Sequence, residues 1–179
     1  MIRKYLKPGN ILFVALVGIL LYAPARIKVQ SWIMSLAGSP GTLEHSVALS
    51  PSDMDYTFYD MHGDSFNLLN YKGSPIFLNL WATWCGPCKA ELPSIASLVQ
   101  GHSGEGKIFL ISNEKHEVVV DFLKKEKLDL PVFYSEYVPK FVTTQSIPVT
   151  YIIDREGKVL INKMGAADWS DPHILELLK

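Results

Sequence analysis

Cysteine is scarce in this chain: among 179 residues there are two, Cys85 and Cys88. A structural zinc site wants about four ligands, and a single CxxC supplies half of them, with no HxxxH spacing among the five histidines to complete the set. No cysteine follows the amino-terminal apolar run, which rules out lipid attachment through a cysteine there. An excess of positive charge is also missing. Lys and Arg total 17 against 18 Asp and Glu, for a net charge of -1, and no basic stripe is present to neutralise a phosphate backbone. Internal repeats and low-complexity tracts are absent. What remains is 48% hydrophobic and 20% charged, a balance that excludes disorder and suits one packed domain with an appendage.

The small net charge conceals an asymmetry. Arg3, Lys4, Lys7, Arg26 and Lys28 fall in the first 28 residues, which hold no acidic residue, so the rest of the chain is acidic. Arg3, Lys4 and Lys7 precede Ile11–Ala23, a run of apolar residues with one Gly and one Tyr. A basic flank before an apolar run is the pattern of an export signal or signal anchor. The run is shorter than the roughly 20 residues of a full span. Beyond it Val29, Trp32, Ile33 and Leu36 recur at helical spacing, as in a helix lying in a membrane interface. Residues 1–36 are therefore expected to form a membrane segment, with a cleaved leader as the alternative. Residues 37–52, rich in Gly, Ser and Pro, read as a linker, and 53–179 as the folded domain.

Within the domain, Tyr56–Tyr59 and Ser65–Leu69 flank a turn at Gly63 and predict an amino-terminal hairpin. Ile76–Trp81 is a near-continuous apolar run, as in a strand covered on both faces, and Lys107–Ile111 reads as a second buried strand. Periodicity predicts helices over Ala90–Val99, Glu117–Lys127 and Ile174–Leu178, and a short one over Val138–Thr144. Val132–Ser135, Thr150–Ile153 and Val159–Lys163 complete the strands. This order implies an α/β domain, a mixed sheet with helices on both faces.

The chemistry concentrates in Trp84-Cys85-Gly86-Pro87-Cys88-Lys89, between the first buried strand and its helix. A purely structural disulfide here would close too small a loop to restrict the unfolded chain much. A redox pair accounts for the placement. Unpaired N–H groups at a helix start stabilise a thiolate on Cys85, and Cys88 lies one turn inward, able to attack a mixed disulfide. Pro87 can occupy the first turn because its missing N–H would have been unsatisfied there.

The segment from Phe77 to Pro93, with WCGPC at its centre, resembles the active-site region of the thioredoxin superfamily, and more narrowly the TlpA/ResA-like membrane-anchored disulfide reductases. That resemblance implies a thioredoxin-like fold for the domain. It also implies that Pro148, in Ile147-Pro148-Val149-Thr150, is a cis proline beside the cysteines, with the Ile147 backbone pairing to a substrate strand. Glu91 matches an acidic residue which that branch carries and which could take the proton from Cys88; a solvated surface glutamate is the competing assignment. Where thioredoxins have a buried aspartate, this chain has Asn79, which cannot accept a proton as a carboxylate would.

The expected catalytic set is thus Cys85, Cys88 and Glu91, with Trp84, Gly86, Pro87, Ile147 and Pro148 as the client-binding surface. No cofactor and no metal are expected, because the cysteine pair is itself the redox group. Implied partners are disulfide-bearing exported proteins and a membrane electron donor, with the domain on the outer side of a bacterial inner membrane. Gly-Pro between the cysteines points to reduction, since reducing thioredoxins lie near about −270 mV. Oxidation or isomerisation of clients, a peroxidase, or a non-catalytic binding module on the same scaffold are the alternatives.

Overall fold

The computed structural model describes residues 10, 13, 14, 17, 18, 40–43 and 47–179. Most of the apolar run and the whole interfacial pattern at Val29–Leu36 lie outside them. The described residues of the run (Phe13, Val14, Val17 and Gly18) have helical backbone. Among the described residues no helix is long and apolar enough to cross a membrane.

The elements are β1 (Val47–Ala48), α1 (Pro51–Met54), β2 (Thr57–Tyr59), β3 (Ser65–Asn67), a 3₁₀ turn (Leu68–Tyr71), β4 (Ile76–Leu80), α2 (Gly86–Gly101), β5 (Lys107–Ser112), α3 (His116–Glu126), β6 (Val132–Tyr134), β7 (Val149–Ile153), β8 (Lys158–Met164) and α4 (Pro172–Leu177). Eight strands form one mixed sheet in the order β1-β8-β7-β4-β5-β6-β2-β3. The central β4 is parallel to β5 and antiparallel to β7. All five of its residues are buried, four of them apolar and the fifth Asn79, as in a strand covered on both faces. The fold is the α/β thioredoxin-like arrangement.

Helices flank the sheet unequally. Stepping from β4 to β5 to β6 moves in one direction through the sheet, and right-handed crossovers then put α2 and α3 on the same face. Leu92, Ile95 and Leu98 of α2, Val119 and Leu123 of α3, and Ile174 of α4 share one core with Phe77, Leu110 and Ile152. The opposite face carries Ile76, Leu78, Phe109, Val149 and Tyr151, covered by Met54 of α1, Tyr56, Phe58, Leu68 and Val142. No helix forms at Val138–Thr144: the segment makes a single turn closed by Val142 N–H donating to Pro139 O. Pro139 supplies no donor, and Val142, Thr143 and Thr144 are β-branched, so a helix there has little to favour it.

The sheet also begins earlier than a linker over 37–52 would allow. Val47 pairs with Val159, Ala48 with Lys158, and Leu43 N–H already donates to Leu160 O at 2.7 Å. Ser50 then caps α1 in a reciprocal box with Asp53.

Candidate active site

Cys85 is the N-cap of α2: its backbone is extended, and its Sγ accepts from the Cys88 N–H at 3.1 Å. The free N–H groups of the first helical turn therefore point at this sulfur, where they and the helix dipole favour negative charge. Gly86 and Pro87 fill that first turn. The two sulfurs are joined as a disulfide. Cys88 is fully buried and Cys85 nearly so at 5% exposure, while Trp84 beside it is 69% exposed. A foreign thiol or disulfide approaching along Trp84 meets Cys85 first.

The loop before β7 closes the site from the other side. The Ile147–Pro148 bond is cis, and the Ile147 carbonyl oxygen lies 3.7 Å from Cys85 Sγ. Trp84 and Ile147 line one groove of about 220 Å³. The structure thus brings Trp84–Cys88 and Ile147–Pro148 together at one end of the sheet, as their positions after β4 and before the neighbouring antiparallel β7 dictate.

Glu91 is not a surface residue. One turn beyond Cys88, it is 1% exposed. Its Oε1 accepts from Asn79 Nδ2 at 2.9 Å; its Oε2 accepts from Trp169 Nε1 at 3.0 Å and from the Ala167 N–H at 3.2 Å. Burial pushes this carboxyl up to about 7, against the opposing pull of the three donors and the Lys163 charge. Asn79 spends its other amide hydrogen on Thr150 Oγ1 at 2.8 Å, leaving its own Oδ1 buried and without a partner. A protonated Glu91 needs an acceptor, and turning the Asn79 amide over presents Oδ1 to it.

Sequence reasoning missed Trp169, Thr150 and Ala167, which hold this pair from β7 and the β8–α4 connection. It also missed Glu114. The Glu114 carboxylate accepts from the Thr83 N–H at 2.6 Å and from Thr83 Oγ1 at 2.8 Å, anchoring the turn that delivers Cys85. Trp169 did leave a signal, as a lone large aromatic in the polar stretch Asp168–Asp171. Among the described residues no group of three or more His, Cys, Asp and Glu side chains is placed to hold a metal ion.

Comparison with known proteins agrees with this geometry. The model of the AhpC/TSA family matches residues 52–161. A thiol-disulfide oxidoreductase ResA from Geobacillus thermodenitrificans is 30% identical over 122 residues, covering 66% of this chain and 70% of that protein. The chain belongs to the AhpC/TSA family and, within it, to the ResA-like thiol–disulfide oxidoreductases. The ResA of Bacillus subtilis is 29% identical over 121 residues, or 65% of this chain and 68% of its own. Among solved structures, StoA from Bacillus subtilis superposes with a TM-score of 0.57 at 26% identity, covering 69% of this chain and 96% of that one. A DsbF homologue from Corynebacterium diphtheriae, at 20% identity and a TM-score of 0.57 over 74% of this chain and 86% of its own, shares the fold. For a ResA-like oxidoreductase, the Cys85–Cys88 disulfide is the redox-active group.

Proposed function

We propose that this protein reduces disulfides in exported proteins, on the outer side of a bacterial inner membrane to which residues 1–36 tether it. The observation that carries the catalytic part is the sulfur of Cys85 capping α2 within 3.7 Å of the Ile147 carbonyl. The basic flank and apolar run ahead of an acidic domain support the location, and the Gly86-Pro87 dipeptide supports the direction.

The cycle starts from the dithiol. The Cys85 thiolate attacks one sulfur of a client disulfide lying against Trp84 and Ile147; that bond breaks, and the departing client thiolate takes up a proton. Cys88 passes its own proton to the Glu91 carboxylate, which near neutral pH is ionised in part of the molecules. Its thiolate then attacks Cys85 Sγ, and that mixed disulfide breaks to expel the second client sulfur as a thiolate, which takes the proton from Glu91 and leaves Cys85–Cys88 oxidised and Glu91 ionised again. Two electrons have moved to the client, with one proton from Cys88 by way of Glu91 and one from water. A dithiol carried by a membrane protein must return them by the same exchange run in reverse.

Turnover of insulin disulfides by the reduced protein tests this. Wild type is expected to precipitate insulin chains catalytically, and Cys88→Ser to accumulate a mixed disulfide through Cys85. Absence of both would end the catalytic assignment. A midpoint potential close to the strong oxidants, near about −120 mV, would reverse the direction.

A further inference from the structure

A second and larger cleft adjoins the site. It encloses about 1000 Å³ between the β2–β3 turn and the segment after β6. Its walls and those of the groove at Trp84 and Ile147 share Ser112, Asn113, Ser135, Glu136, Tyr137 and Val138, so the two form one trough leading away from Cys85. The far part is as large as the roomiest small-molecule pockets, and a single disulfide bond needs none of it.

The lining suits a polypeptide chain. Tyr59, Met61 and Tyr137 are 47%, 48% and 77% exposed, with Tyr134 below them. Tyrosines offer wide amphipathic contact at small entropic cost, and methionine adapts to varied side chains. The lining carries four carboxylates, on Asp55, Asp60, Glu114 and Glu136, against two lysines, Lys115 and Lys140, and two histidines, His62 and His116; with the histidines neutral the balance is acidic, which biases the cleft toward basic occupants.

The walls are also held in place before anything binds. Tyr56 OH donates to Tyr137 O at 2.8 Å, Ser135 N–H to Ser112 O at 3.1 Å, and Ser135 Oγ to Thr57 O at 3.2 Å. Asp60 Oδ1 fastens the hairpin turn by accepting from the His62 and Asp64 N–H groups at 2.8 and 3.0 Å. Little ordering cost then falls on binding.

We propose that this trough binds the extended stretch of client polypeptide flanking the target cysteine, selecting segments with an aromatic and a basic side chain. This deepens the disulfide-reductase function and rests on it. The trough makes the enzyme favour unfolded or loop-borne disulfides over small ones, because only a chain can reach from Cys85 past Tyr137 to the hairpin.

The full-length protein is tested in two arms, as wild type and as Tyr59→Ala and Met61→Lys, two positions that line the far cleft and not the groove at Trp84. In the first, a peptide rich in Tyr and Arg, with Ser in place of Cys, is titrated into the oxidised protein by calorimetry. In the second, reduction rates are compared for glutathione disulfide and for the cysteine form of that peptide as a mixed disulfide with glutathione, extended on the amino or the carboxyl side. Both variants are expected to weaken peptide binding and to lower kcat/KM on one extended substrate by about tenfold, through KM, with glutathione disulfide unaffected. Equal peptide binding in all three proteins, or equal loss on both substrates, overturns the trough. Failure of wild type to reduce glutathione disulfide or peptide overturns the redox function instead, and the calorimetric arm still decides the trough.

Discussion

Glu91 carries a titration that stability measurements can read. Unfolded, its carboxyl ionises near 4.5; folded, burial holds the proton up to about 7. Below 4.5 both states are neutral and the group contributes nothing. Between those values the folded state binds the extra proton, so stability falls as pH rises, by a total on the order of 3 kcal/mol once pH passes 7. Urea unfolding of the oxidised protein at pH 5 and pH 8 is expected to show that decline in wild type and not in Glu91→Gln. Asn79 can accommodate the glutamine by turning its amide, since its Oδ1 is free to accept. Equal slopes in the two proteins would mean that the carboxyl ionises normally in the fold. The pattern of the sequence left Glu91 balanced between surface and site, because helical spacing gives a direction and not a partner. The donors that hold it away from the surface come from Asn79, Ala167 and Trp169, as far as 78 residues away.

Among the elements, the turn between β4 and α2 depends on a side chain from the loop that follows β5. Glu114, just past β5, takes both the N–H and the hydroxyl of Thr83. Glu114→Ala leaves a half-buried N–H unpaired and is expected to cost about 1–3 kcal/mol in urea unfolding, with Glu114→Gln recovering part of it. An unchanged midpoint for the alanine variant would show that water replaces the carboxylate. The elements legible in the sequence were those with their own local signal: the apolar β4 and β5, the CxxC helix start, the hairpin at Gly63 where φ is 85°. The segment Val138–Thr144 deceived because its apolar spacing is helical, although its residues are not helix formers. Its apolar side chains serve a different end, with Val142 covering the sheet face that carries Val149 and Tyr151.

At the scale of the molecule, the sheet's outer edge depends on two residues that composition placed in a linker. Val47–Ala48 is too short and too exposed to announce itself as a strand, and only pairing to β8 makes it one. A chain beginning at residue 43 should fold as the full domain does. One beginning at residue 50 uncovers the β8 backbone, and its melting temperature should fall by several degrees, with self-association detectable by light scattering. Identical behaviour of the two truncations would mean that β8 needs no cover.

Under the tether proposed above, the same pairing would set how far the enzyme can roam. Were residues 1–36 held at the bilayer, the Leu43 bond to Leu160 would leave only about six residues as a leash, roughly 20 Å at full extension. An enzyme so held would patrol the membrane surface, and clients and electron donor alike would have to bring their sulfurs into that thin shell.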